Sequence, residues 1–250
     1  MKGARFLLCG FGLLGTLSLG VGPIHGQQPP SPYGSVRYSQ IPPHSSVRTV
    51  KASVVVSQDD LSAAWRESVA RVMQHPTLSA RSSGDTFSVN DDLYRWMLDH
   101  PDRVALAWRR MHVPAIEITP LGGGQFSWRD EDGSELVWRT VAQNAGGRTW
   151  YAEGKFKPAP LLPCVPVRAV AILHHDVGRD ARGRTTISHR LDAYLQTDSR
   201  FAALVTRLMG PAAPKMAEEG AEQLLYFFSG VARHLDENPD KAAKLLAERK

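Results

Sequence analysis

Between Ala115 and Gln196 the chain falls into six short runs that alternate or are β-rich, and this stretch constrains the fold more than any other. The runs are Ala115–Leu121, Gln125–Asp130, Glu135–Gln143, Arg148–Lys157, Pro166–Asp176 and Arg184–Gln196. Between them lie LGGG, DEDGS, NAGG, the proline-rich KPAPLLPCVP, and VGRDARG. Glycine, asparagine and aspartate supply the positive φ of tight turns, and Asp132-Gly133 is a strong hairpin signal. Most links are too short for a helical crossover, which predicts an antiparallel meander.

Alternation assigns each strand two faces. One face carries Trp150, Ala152, Gly154 and Phe156, then Val167, Ala169, Ala171 and Leu173, then Ile187, His189, Leu191, Ala193 and Leu195. The other face carries Arg168, His174, Arg190 and Asp192 and is predicted to be wet, as in most antiparallel sheets. The apolar face sets large residues beside a run of small ones. Small side chains on a covered face leave either a closely packed helix or a cavity. The predicted pocket is lined by Trp150, Ala152, Gly154, Phe156, Ala169, Ala171, His189, Leu191 and Ala193, with Leu224 and Phe228 from a covering helix.

That helix is Ala213–Leu235. Its residues Ala217, Ala221, Leu224, Phe228, Val231 and Leu235 recur at steps of four and three, one continuous stripe. Three helical pieces precede the meander: from Asp59 or Asp60 to Gln74, from a Ser88/Asp91 capping box through Leu98, and from Pro101 through Met111. Val50–Ser57 reads as a strand, Thr77–Thr86 as a polar loop and Ser199–Met209 as a short helix. Trp96 and Trp108 fall in helical pieces, as core or rim residues.

Residues 1–26 read as a signal peptide, with Lys2 and Arg5 ahead of an apolar, glycine-rich stretch. That stretch is short and glycine-broken for a membrane span, which favours a cleaved leader over a retained anchor. Export to the periplasm or the extracellular space follows. Residues 27–47 read as a flexible Pro/Ser/Gln-rich tether, 48–236 as one α+β domain, and 237–250 as a charged tail. About 224 residues after the leader suffice for one sizeable core. Lys2 and Arg5 account for two of the five net positive charges. The remaining surplus is scattered, which argues against nucleic-acid binding. Cys164 is the one cysteine after the leader, so that segment has no internal disulfide; between two prolines it reads as a small buried hydrophobe.

The element order resembles the helix-grip, or START-like (SRPBCC-type), superfamily. The opening strand Val50–Ser57, the helical pieces Asp59–Gln74 and Ser88–Met111, the meander Ala115–Gln196 and the helix Ala213–Leu235 carry the resemblance. It implies a curved antiparallel sheet of six to seven strands gripping the C-terminal helix. It also implies an apolar molecule such as a lipid or sterol held between them, and some members are cyclases or hydrolases. A third helical piece before the meander and an extra helix at Ser199–Met209 depart from the pattern.

Motifs for chemistry are sparse. His174-His175-Asp176 is a metal candidate only if ligands converge, and on a strand His175 faces away from its neighbours. If the hairpin pairs Ala171 with His189, Asp176 lies opposite Arg184 and an ion pair explains it better. His189 interrupts an apolar row; it is either a satisfied core histidine or a group that orients a ligand or moves a proton. No serine-nucleophile elbow, phosphate loop, metal motif or cofactor motif is present. The leading reading is an exported, non-catalytic binder of a lipid-like or hydrophobic small molecule. The alternatives are an enzyme of the same fold using His189 as acid or base, and a protein-interaction or envelope module.

Overall fold

In the computed structural model the described residues are 61–157, 164–198 and 212–246. The expected leader, tether, strand Val50–Ser57, cap at Asp59 or Asp60, and helix Ser199–Met209 lie outside them.

The order is α1 (Ala63–Gln74), β1 (Leu78–Arg81), β2 (Asp85–Ser88), α2 (Asp91–Asp99), α3 (Pro101–Arg110), β3 (Thr119–Gly122) and β4 (Gln125–Arg129). Then come β5 (Glu135–Asn144), β6 (Gly147–Phe156), β7 (Val165–Arg179), β8 (Thr185–Thr197) and α4 (Ala213–Glu237), followed by a 3-10 turn and the short α5 (Ala242–Leu246). The fold is α+β: an open antiparallel sheet in the order β1-β8-β7-β6-β5-β4-β3, with β2 also on β8, and a long C-terminal helix against one face. The last five strands of the meander lie where alternation puts them, within three residues, but the first, expected over Ala115–Leu121, is only Thr119–Gly122.

Several expectations are corrected. Thr77–Thr86 is not simply a loop: it contains β1 and the first half of β2, which pair with β8, Ala80 opposite Ala193 and Phe87 opposite Ile187. These strands are short and polar between, so no long alternation marks them. Asn90, not Ser88, caps α2, its side chain accepting from Leu93 N–H. The β7–β8 hairpin turns two residues later than expected, so Ala171 faces Ala193, His175 faces His189 and Asp176 faces Ser188. Because the pairing moves by an even number, every side chain keeps its predicted face. Arg184 bonds Asp180 within the turn rather than Asp176.

Nor is the second face wholly wet. Leu61, Val69 and Val72 of the α1 segment pack on Ala142, Tyr151 and Val170, a second small core, with the Trp65 ring 5.2 Å from Tyr151. The α1 stripe needs an apolar partner, and the outward residues of β6 and β7 supply one. Cys164 is exposed rather than buried, its Sγ 3.8 Å from the Gly133 carbonyl in the β4–β5 turn. The segment after α4 is more than a charged tail: Leu245 is buried, and Arg110 donates to the carbonyls of Lys244 and Leu245.

The main core lies between sheet and α4, closed by α2 and α3. Trp108 of α3 donates its indole N–H to the Phe227 carbonyl at 2.9 Å. Gly230 permits this approach, since a Cβ there would lie 2.5 Å from the Trp108 ring. That contact explains a glycine inside a helix, where it otherwise costs about 1 kcal/mol relative to alanine.

Candidate ligand cavity

The paired strands form rungs across the apolar face. One rung reads Thr140, Trp150, Ala171, Ala193, Ala80, and the next Phe126, Trp138, Ala152, Ala169, Leu195, Leu78. The bulky aromatic side chains therefore sit on β4–β6, while β7, β8 and β1 carry only alanine and leucine on these rungs. The α4 backbone lies close against β1, β2 and β8, while aromatic side chains bridge the distance to β4–β6.

At the small end the structure packs closely. Ala169, Ala171 and Ala193 meet Leu78, Ala80 and Ala217, leaving a space of ≈ 20 Å³. At the large end Trp128, Trp138 and Trp150 face Leu224, Phe227 and Phe228 of α4, with Leu98, Pro101, Ile116 and Ile118 closing the sides. The Trp150 and Phe228 rings stack with centroids 6.1 Å apart and planes 6° from parallel. A cavity of ≈ 50 Å³ remains among them, with Gln223 a polar group at its wall. Rigid rings do not interdigitate as aliphatic chains do, so they hold α4 off the sheet and leave a gap.

One rung beyond Trp150, toward the start of β6, the wall turns polar. Arg148 shares the face of Trp150 and lines a groove of ≈ 450 Å³ with Asp99, Phe126, Thr140 and Gln143. Its guanidinium donates to the Leu98 carbonyl at 2.8 Å and to Asp99 Oδ1 at 2.6 Å. A bulge in β5 between Thr140 and Ala142 brings Gln143 directly opposite Arg148.

The predicted site residues thus divide. Trp150, Leu224 and Phe228 line the tryptophan cavity, whereas Ala169, Ala171, Ala193 and Leu224 line the small space at the closed end. Ala152, Phe156 and Leu191 are core residues. Gly154 admits the Glu135 backbone, which a Cβ would strike. Trp128 and Trp138 were not singled out from sequence, although their alternation places them on the rungs of Gly154 and Ala152.

His189 does not line the tryptophan cavity. It lies beneath α2, where Tyr94 Oη is 2.8 Å from its Nδ1, with the Phe87 ring 4.9 Å away and His175 directly across the strand pair. With Tyr94 donating, Nε2 carries the proton. That Nε2 and both nitrogens of His175 have no hydrogen-bond partner among the described residues. Burial drives each imidazole down to about 4, helped by Arg95 at His175 and partly opposed by Asp85 at His189. Burial also raises the Tyr94 hydroxyl far above its ordinary value. These are neutral rings in a dry aromatic cluster. His174 points the other way, to Asp192 at 3.2 Å, and Arg81 joins Asp192 at 2.5 Å. Among the described residues no three His, Cys, Asp or Glu side chains are placed to hold a metal ion. No described helix is long and apolar enough to cross a membrane.

No known sequence family matches the chain, and no curated protein does. Among solved structures, a conserved protein from Geobacillus kaustophilus aligns with a TM-score of 0.40 at 7% identity, over 61% of this chain and 96% of that one. The di-domain ARO/CYC BexL from the BE-7585A biosynthetic pathway aligns with a TM-score of 0.32 at 20% identity, over 75% of this chain and 56% of that one. Apo dicamba monooxygenase aligns with a TM-score of 0.22 at 9% identity, over 66% and 51%. The chain thus spans about half the length of the last two. Function has to be read from this chain's own geometry.

Proposed function

We propose that this protein binds a hydrophobic small molecule between its sheet and its C-terminal helix, at the tryptophan end of the interface. The observation that carries the reading is the gap walled by Trp128, Trp138, Trp150 and Phe228. A mostly apolar concavity with a few polar groups at its margin is the usual form of a small-molecule site. The ≈ 50 Å³ present is small for such a ligand, and on this reading the ligand reaches from it to the groove lined by Thr140 and Arg148, one rung along β6. Binding then displaces the segment carrying Ile116 and Ile118, which joins α3 to β3 and lies outside regular structure. Lipid-like and flat aromatic molecules both suit such walls. The basic start and apolar stretch of residues 1–26 support export of the protein to the periplasm or beyond.

The reading is non-catalytic. An enzyme acting through His189 lacks support, because that ring is enclosed by Phe87, Tyr94 and His175. Native mass spectrometry of the full chain, extracted without detergent, tests the proposal. A bound apolar molecule of defined mass, lost on Trp150→Ala, supports it. An unliganded mass in every preparation, together with no binding of added naphthalene derivatives, contradicts it.

A further inference from the structure

Arg148 is held in an unusual way for a buried cation. Its side chain is 8% exposed, while its counter-ion Asp99 is 52% exposed. A guanidinium stays charged in any protein setting, so a buried one requires an anion. Asp99 meets it through one oxygen, although the planar fork suits two-point recognition of a carboxylate. Asp99 is also the last residue of α2, whose C-terminal carbonyls make that end the negative pole, a poor place for a carboxylate. The arginine therefore holds Asp99 against the local field. On the neighbouring rungs, Thr140 lies opposite Trp150 and Gln143 opposite Arg148, adding a hydroxyl and an amide to the groove. Two residues of strand, roughly 7 Å, separate the Trp150 level from the Arg148 level.

We propose that the ligand of this site has an apolar body and a carboxylate end, and that its carboxylate displaces Asp99 from Arg148. This rests on the hydrophobic-site reading above. The body lies against Trp138, Trp150 and Phe228; the carboxylate takes both arms of the guanidinium; Asp99 swings into solvent. One carboxylate replaces another, so the buried charge stays compensated throughout.

Two probes with one apolar body separate the claims: 2-naphthylacetate and the neutral 2-(2-naphthyl)ethanol, titrated against the full chain by tryptophan fluorescence. Asp99→Asn removes the tethered competitor. The affinity ratio of acid to alcohol should rise about tenfold in that variant, the worth of one freed charge-assisted contact. Arg148→Gln should abolish the preference for the acid. If that buried substitution prevents folding, the half-exposed Asp99→Asn decides alone. An unchanged or lower ratio in Asp99→Asn, with the alcohol still bound, overturns the carboxylate proposal and leaves the hydrophobic site standing. Failure of both probes on every form overturns the hydrophobic site, and this proposal with it.

Discussion

The two ends of the helix–sheet interface meet the same helix with opposite residues. Where β7, β8 and β1 offer alanine and leucine but no aromatic ring, α4 offers Ala217 and Ala221 beside Leu224, and the backbones close together. Where β4, β5 and β6 offer tryptophan, α4 offers phenylalanine, and the layers stand apart. A floor of small side chains suggests empty space when it is read in isolation. In a packed protein it invites approach, because dispersion is lost across any gap. The space belongs to the end with the largest and stiffest side chains.

Trp150→Ala breaks the comparison most severely. It turns the middle of the open end into the floor of the closed end, and should cost about 4 kcal/mol in urea unfolding. A loss under about 1 kcal/mol would mean that α4 collapses freely onto the sheet and that Trp150 does not hold it off.

Acid should act next, and locally. The neutral His175 and His189 have folded pKa values near 4 against an ordinary 6.5. The unfolded chain therefore takes up protons first as pH falls. Their contribution is complete above 6.5, is lost between 6.5 and about 4, and levels off below. Charging the first ring costs on the order of 3 kcal/mol. Asp85, tied to Arg233, faces His189; Asp91, Asp176, Arg95 and Arg148 surround His175. Because both rings support Tyr94 of α2, hydrogen exchange at pH 4.5 should rise in α2, the wall of the open end, before it rises in β1. A His175→Asn/His189→Gln chain should lose most of this acid dependence. Equal acid dependence in both proteins would remove the histidines as its source.

Ala171→Leu sharpens the contrast with a smaller effect. Overfilling the closed end should cost about 2 kcal/mol and push α4 outward, whereas an equally stable variant would reveal unused space there. Phe228→Leu should be the mildest, about 1 kcal/mol, while widening the open end toward bulkier ligands. If its selectivity for probes of different width is unchanged, Phe228 does not set the width.

The meander and the helix stripe were legible because burial on one face imposes periods of two and about 3.6. The turn of the β7–β8 hairpin was misplaced by two residues without moving any side chain to the wrong face, since VGRDARG offers more than one turn and only parity matters for burial. β1 and β2 were missed because Ser82, Ser83 and Gly84 interrupt them and each is four residues long. The location of the cavity was the least legible feature. It depends on how far α4 stands from each rung, a property of partners distant in sequence, such as Trp138 and Phe228. His189 reads as a pocket residue from its apolar row alone; only the approach of Tyr94 and Phe87 makes it a core residue.

The six tryptophans allow the central claim to be tested directly, because each carries one indole N–H and they occupy distinct places. In an ¹⁵N-indole NMR titration with 2-(2-naphthyl)ethanol, Trp128, Trp138 and Trp150 should shift together and saturate, while Trp65, carried by α1 against the opposite face, stays in place. Shifts that are absent, that never saturate, or that involve Trp65 equally would contradict a hydrophobic site at the tryptophan end.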